Sequence, residues 1–327
     1  MTRVLSLFTP SGRPTLGNLL GALRPSAGRL TAEAPRTGHV YGIADLHALT
    51  TPHDPALLNE RALELAGLAV AAGIDPARCV FFRQSAVAAH AELAYLLEST
   101  AYYGEMQRMI QFKEKSARQS TVRLSLLTYP ALMAADILLY QATEVPVGAD
   151  QSQHLELTRD LAERFNRAYG PVFTLPRAVH PVAAARVMDL AEPSRKMSKS
   201  VDSPGTISLL DPVDVVRRTI MRAVTDSGSE VTYDPVRKPG VSNLLGILAA
   251  CTDVPVEALS YSSYGALKRD TADAVIALLE PLQERYTAIA ADRAALEAVL
   301  RAGAEQARAL AEPTLAAARN AIGLTAA

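Results

Sequence analysis

The chain carries 327 residues, enough for one large or two modest domains. With 33 basic against 34 acidic residues its formal net charge is −1, which excludes a generic polyanion binder and confines any RNA contact to local patches. Hydrophobic residues make up 49%, so a sizeable core is within reach. Cys79 and Cys251 lie far apart, form no disulfide framework and no metal-ligand spacing, and fit a reducing compartment. No apolar run approaches a membrane span and the first residues lack a signal-peptide pattern, so the chain reads as cytoplasmic with no membrane partner.

The N-terminal half alternates strands and helices. Residues 4–9 read as the first strand, followed by Thr9-Pro10-Ser11-Gly12-Arg13-Pro14-Thr15-Leu16-Gly17-Asn18 and an apolar helix start at Leu19. A strand, a glycine turn and a helix N-terminus form a ready anion site, because the first turn of a helix has unpaired N–H groups. Gly17 would let a nucleotide approach the backbone, and Thr15 and Asn18 can offer hydrogen bonds to an α-phosphate. Residues 39–44 and 79–83 read as further strands, with a helix over 55–72 between them. Thr51 or Asp54 stands near its cap and Gly73 at its end. This βαβ alternation implies a parallel sheet with right-handed crossovers and ligands beyond the carboxyl ends of the strands.

Residues from about 86 to 143 read as a mostly helical insertion. Asp136 is the one charge between Tyr129 and Tyr140. Pro130 fits a first helical turn, and Tyr129, Met133 and Asp136 at i, i+4 and i+7 share a face. A carboxylate on an otherwise apolar face needs a partner, either a buried arginine or a ligand group. A strand over 145–148 and a helix from 150 to about 169 follow; Gly148 allows close approach and Asp150 can cap that helix.

Val187, Met188 and Leu190 lead into Lys196-Met197-Ser198-Lys199-Ser200. Two lysines three apart, interleaved with hydroxyls, make a compact cationic loop that can wrap a polyphosphate. After Asp211 the chain reads as nearly all helix, over 213–224, 242–251 and much of 266–322, with a loop over 226–240. Arg217, Arg218 and Arg222 share a helix there, and Arg237 and Lys238 sit in the loop. Each is either a solvated charge or an RNA contact.

The turn at 9–18 and the lysine segment together resemble the two ATP motifs of class I aminoacyl-tRNA synthetases. The blocks at 44–50 (Ala44-Asp45-Leu46-His47-Ala48-Leu49-Thr50), 111–116, 127–140 and 145–160 resemble the bacterial-type tryptophanyl-tRNA synthetases. The resemblance runs from about residue 3 to the C-terminus and is densest up to residue 200. It implies an α/β fold: a Rossmann-like parallel-sheet nucleotide-binding domain over 1–205, with the insertion at about 86–143. A C-terminal all-helical domain over 206–327 would meet the tRNA anticodon region, its last helix packing back on the first domain.

The resemblance also implies a chemistry. L-Tryptophan attacks the α-phosphate of ATP, and the tryptophanyl-adenylate is transferred to tRNA(Trp), releasing pyrophosphate and AMP. Mg2+ arrives with ATP at no dedicated protein site, and the enzyme is a homodimer. Catalytic roles fall to Lys115, Lys196, Lys199, Thr15 and Asn18. ATP contacts fall to Thr9, Pro10, Ser11, Gly17, Asn18, Gly148, Ala149, Asp150, Val187, Lys196, Met197, Ser198, Lys199 and Ser200. Asp136 would accept the indole N–H, a group that can only donate. Tyr129 and Gln151 would hold the ammonium group, His47 would lie near the substrate carboxylate, and Met133 and Leu7 would lie beside the ring.

Leu7 and Thr9 stand where the family usually carries glycine and glutamine. They predict altered sensitivity to inhibitors that mimic tryptophan, and hence an inhibitor-tolerant variant. Ala149 replaces a usual glutamate, and the basic C-terminal end of some relatives is absent. Two alternatives remain at this point: a tyrosyl-tRNA synthetase, or an adenylate-forming paralogue that acts as a binding or regulatory module without charging tRNA.

Overall fold

A computed structural model describes residues 2–30, 35–117, 119–148, 151–179, 186–198 and 203–324. Strand β1 (Val4–Phe8) is followed by α1 (Leu16–Asn18), a π turn over Leu19–Leu23 and α2 (Arg24–Gly28). Strand β2 (His39–Ile43) leads through a 3-10 turn (Leu46–Thr50) to α3 (Pro55–Ala71). Asp54 caps α3 by accepting from the Ala56 N–H at 2.9 Å, and Gly73 leaves it at φ +105°, a left-handed conformation that favours glycine. Strand β3 (Val80–Arg83) precedes the insertion, which holds α4 (Ala89–Glu98), α5 (Tyr103–Arg108), α6 (Ile110–Ser116) and α7 (Leu124–Leu139). Then come β4 (Glu144–Pro146), α8 (Ser152–Tyr169) and β5 (Arg177–Val179). Helices α9 (Val213–Met221), α10 (Pro239–Thr252), α11 (Tyr264–Ala291) and α12 (Arg293–Ala321) complete the chain.

The strands form one parallel sheet in the order β3-β2-β1-β4-β5. The chain direction across the sheet reverses between β1 and β4, the switch point where such sheets bind ligands. Alternate residues along each strand face opposite ways. Val4, Phe8, Tyr41, Ile43 and Phe81 point into one apolar cluster shared with α3, α10 and α11. Leu5, Val40, Val80 and Phe82 point into the other, shared with α4, α7, α8 and α12. Apolar packing is therefore continuous across residue 205.

Two expectations change. Pro130 lies inside α7, because the helix starts at Leu124, six residues earlier than a proline start would require. Strand β5 was not anticipated: three residues carry too short a pattern to register as β-structure. Several cations weighed as RNA contacts are engaged within the protein. Arg217 pairs with Asp273 at 2.7 Å and Arg218 with Asp214 at 2.6 Å. Lys238 Nζ donates to Asp226, to the Glu230 carbonyl and to Tyr264.

Helix α12 covers the open side of β3, which would otherwise present unpaired strand groups. Gly303 makes that approach possible, since a Cβ there would stand 1.7 Å from the Phe81 carbonyl oxygen. Gly303→Ala is expected to push the helix off the strand and destabilise the protein by about 2–3 kcal/mol. Denaturant unfolding checks this, and an unchanged midpoint would show that α12 can shift without loss.

Candidate active site

The segment after the lysines pairs with the first turn. Leu16 N–H donates to the Ile207 carbonyl at 2.9 Å and Leu209 N–H to the Pro14 carbonyl at 2.9 Å. Thr15 and Ser208 form an antiparallel bridge between them. A Cβ on Gly17 would touch Val187 Cβ at 3.5 Å, an ordinary contact. Protein packing therefore does not demand glycine at 17, and the missing Cβ leaves its backbone open to close approach. Thr15 donates from its N–H (2.9 Å) and its hydroxyl (3.1 Å) to Asn18 Oδ1. Asn18 is thereby held with its amide NH2 as the group able to donate outward. Pro10 is buried and Ser11 exposed. The π turn at Leu19–Leu23 sits directly behind this site, a helix variant that recurs at functional sites.

The lysine segment begins as a two-stranded clip. Asp189 N–H donates to the Arg195 carbonyl (2.8 Å) and Met197 N–H to the Val187 carbonyl (3.0 Å). Val187 and Met197 are buried, so their side chains anchor the clip in the core and only their backbone can face a nucleotide. Lys196, between them in register, is exposed. Lys199 and Ser200 lie outside the described residues, as do Ala149 and Asp150.

Asp189 closes the neck of this segment. Its Oδ1 accepts from Ala191 N–H (2.9 Å) and Glu192 N–H (3.0 Å), and its Oδ2 from the Thr206 hydroxyl (3.2 Å). Burial acts to raise its pKa, but the hydrogen bonds from Ser203, the two amides and Thr206 win and lower it. Leu190 N–H donates to the Gly205 carbonyl across the same neck, and a Cβ on Gly205 would stand 2.1 Å from Ala191 N and 2.3 Å from Asp189 Oδ1.

Asp136 is buried on α7, and among the described residues no arginine pairs with it. Its Oδ1 accepts from Gln84 Nε2 (2.7 Å) and His90 Nδ1 (2.6 Å), and its Oδ2 from His47 Nε2 (2.9 Å). Burial alone would raise its pKa, but the hydrogen bonds and charges of His47 and His90 hold the carboxyl down at about 2. His47 follows β2, and Gln84 and His90 follow β3, so the carboxylate sits beyond the carboxyl ends of two adjacent strands. Gln84 is fixed in turn by accepting from the Leu46 N–H at 3.1 Å. Asp45 holds the same two turns together, accepting from Arg83 Nε (2.5 Å), Ser85 N–H (2.9 Å) and the Ser85 hydroxyl (2.5 Å). His47, expected near a substrate carboxylate, meets Asp136 through its Nε2, because the turn after β2 aims it at α7.

Tyr129 lies on the same helix, and its ring sits edge-on to His47, with centroids 6.1 Å apart. Its hydroxyl bonds to His154 Nε2 at 2.6 Å, and burial raises its pKa, so it stays protonated. Lys115 Nζ stands 5.4 Å from the centre of the Tyr129 ring, which brings the end of α6 to this cluster. Gln151 opens α8, its N–H bonded to the Gly148 carbonyl at 2.9 Å. Met133 is half-buried on α7 one turn from Tyr129. Leu7 sits on the α7 side of the sheet, with Cδ2 3.0 Å from where a Gly42 Cβ would stand; Thr9 follows, half-buried, just past β1.

Gln84, His90 and Asp189 were missed by sequence reasoning. The first two stand just after a recognised strand end, a positional signal that could have flagged them. Asp189 gives no such signal, since an acidic residue before a basic loop is common. Among the described residues no group of three or more His, Cys, Asp or Glu could hold a metal ion, and no helix is long and apolar enough to cross a membrane.

Known proteins resemble this chain along nearly its whole length. Tryptophan–tRNA ligase 1 of Streptomyces coelicolor is 55% identical over 331 residues, covering 99% of this chain and 98% of the relative. The crystal structure of tryptophanyl-tRNA synthetase from Mycoplasma pneumoniae superposes with a TM-score of 0.91 at 37% identity, covering 99% of this chain and 98% of that one. The Campylobacter jejuni enzyme, complexed with ADP and tryptophan, gives 0.80 at 30% identity, covering 99% and 100%. The profile of the tRNA synthetases class I (W and Y) matches residues 1–280, and the chain belongs to that family.

Proposed function

We infer that this chain is a tryptophan–tRNA ligase, which activates L-tryptophan with ATP and transfers it to tRNA(Trp). The observation that carries the reading is the pairing of residues 14–16 with 207–209, which sets the lysine segment against the first turn. One substrate carboxylate oxygen bonds to the α-phosphorus, and the bond to the pyrophosphate oxygen breaks. A ribose hydroxyl at the tRNA 3′ end then attacks the acyl carbon, and AMP leaves. The protein aligns the reactants and neutralises charge that moves onto the leaving pyrophosphate. Lys115, Lys196 and Lys199 supply that neutralisation. Thr15 and Asn18 contact the α-phosphate, and Ser198 and Ser200 add short hydrogen bonds. Thr9, Pro10, Ser11, Gly17, Gly148, Ala149, Asp150 and the backbone of Val187 and Met197 complete the ATP site. Mg2+ enters on the triphosphate.

Asp136 accepts the indole N–H, Met133 and Leu7 flank the ring, and Tyr129 and Gln151 take the ammonium group. His47 acts from Asp136's side of the pocket, as its hydrogen bond favours. Residues 206–327 form the part that meets the anticodon region. The enzyme works as a cytoplasmic homodimer; exposed Tyr95, Tyr102, Tyr103, Ile110 and Leu124 on the insertion supply an apolar surface that a second copy would cover.

Pyrophosphate exchange and tRNA charging test the assignment. Exchange is expected with tryptophan and, with tyrosine, at a rate at least about 1,000-fold lower. Charging of total tRNA with tryptophan is expected too; exchange without charging would identify the regulatory paralogue instead. Gly205→Ala is expected to distort the lysine neck and lower the exchange kcat on the order of 100-fold, with the tryptophan KM little changed. An unchanged kcat would mean that the neck does not position the lysines. Leu7→Gly/Thr9→Gln is expected to change inhibition by tryptophan mimics about tenfold. Equal inhibition of both forms would remove Leu7 and Thr9 from the pocket's selectivity.

A further inference from the structure

Asp136 has about four lone-pair directions in its ionised form. Gln84 and His90 occupy both of those on Oδ1, and His47 occupies one on Oδ2. We propose that this saturation leaves Asp136 one open acceptor direction, and that His90, both of whose ring nitrogens are engaged, is the positioning residue that makes the site choose an indole over a phenol. The proposal rests on the reading that Asp136 receives the indole N–H.

An ionised carboxylate cannot donate, so His90 Nδ1 carries the proton that Asp136 accepts. The Tyr140 hydroxyl, 2.8 Å away, fills the other ring nitrogen. Both His90 and Tyr140 are fully buried, and His90 stacks on Phe82 with ring centroids 5.7 Å apart. The imidazole therefore has no freedom to turn an N–H toward the pocket. Gln84 is held in place as well, since the Leu46 N–H fixes its carbonyl oxygen. An indole has a donor and no lone pair in the ring plane, so one acceptor satisfies it completely. A phenol has a donor and an acceptor oxygen, and neither ring nitrogen of His90 is free to donate to that oxygen, so a phenol gains less here than an indole does. Discrimination thus comes from what the carboxylate's neighbours withhold, as well as from what the carboxylate offers.

Pyrophosphate exchange with tryptophan and tyrosine, on the full-length enzyme, tests this. His90→Leu is expected to raise the tryptophan KM about tenfold and to narrow the tryptophan-to-tyrosine ratio of kcat/KM about tenfold. The ATP KM and the kcat at saturating tryptophan should stay within about twofold, which a general loss of structure would not allow. His90→Asn, which keeps an N–H near the position of Nδ1, should recover most of both changes. Wild-type tryptophan KM and selectivity in a folded His90→Leu variant would overturn the proposal. If that variant does not fold, Tyr140→Phe decides: it frees His90 Nε2 at little change in volume and should raise the tryptophan KM about threefold, and no change overturns the proposal. Asp136→Ala separates the two levels, because it removes the acceptor that an asparagine carbonyl would keep. If it leaves tryptophan activation intact, the indole reading fails and the proposal with it. If it impairs activation while His90→Leu does not, the role of His90 alone is refuted.

Discussion

A parallel sheet delivers the end of every strand to the same side, and this molecule places its chemistry there. The first turn follows β1, His47 follows β2, Gln84 and His90 follow β3, and Gly148 and Gln151 follow β4. Parallel pairing requires a crossover between neighbouring strands, and right-handed crossovers keep the connecting helices off that edge. Residues more than a hundred positions apart in the chain therefore meet without any one of them having to reach far. The order β3-β2-β1-β4-β5 adds a crevice between β1 and β4, where connections diverge to opposite sides. Gly17 lies beside that crevice on one flank and Gly148 on the other.

The lysine segment is not part of the sheet, so its position needs a separate device. Two are present. Backbone pairing of 14–16 with 207–209 ties the far end of the segment to the first turn, and the core burial of Val187 and Met197 ties the near end. Asp189 joins both ends by bonding to residues 191, 192 and 206 at once. The Lys196 side chain is then exposed while its backbone is held by the clip. That suits groups that must meet a strongly charged ligand: a buried lysine would lose its charge, and an unanchored one would give up orientation on binding.

Much of this was legible in the residues. Four of the five strands and helix α3 have apolar patterns with clear ends, so β1, β2, β3 and α3 were anticipated within a few residues, while the helical stretch over 266–322 was read without the break between α11 and α12. The first turn and the lysine segment stood out as glycine and lysine patterns, and the structure pairs the residues that flank them. Three things were hidden. β5 is three residues long, and pairing with β4, rather than its own propensity, makes it a strand. Pro130 suggested a helix start, yet α7 begins upstream because its apolar face already has α4 and α8 to pack on. The partners of Asp136 come from two separate turns, and no spacing within one segment encodes a contact across 46, 52 and 89 positions. A lone carboxylate in an apolar helix announces that it has partners, without saying which.

The identity of those partners decides what the pocket can recognise. An arginine beside Asp136 would have neutralised it with a fork of donors, some of them free to meet a ligand oxygen. Two imidazoles and an amide supply one directed N–H each and are themselves held from behind, His90 by Tyr140 and Gln84 by the Leu46 amide. The carboxylate stays ionised while buried, because three aligned donors offset its lost hydration. Its remaining acceptor capacity is then concentrated in one direction. In a chain with net charge −1, the proposed selectivity would rest on direction and satisfaction of single hydrogen bonds rather than on bulk field. The same logic holds at the first turn, where Thr15 occupies the carbonyl end of Asn18 and leaves only its donor end for a phosphate.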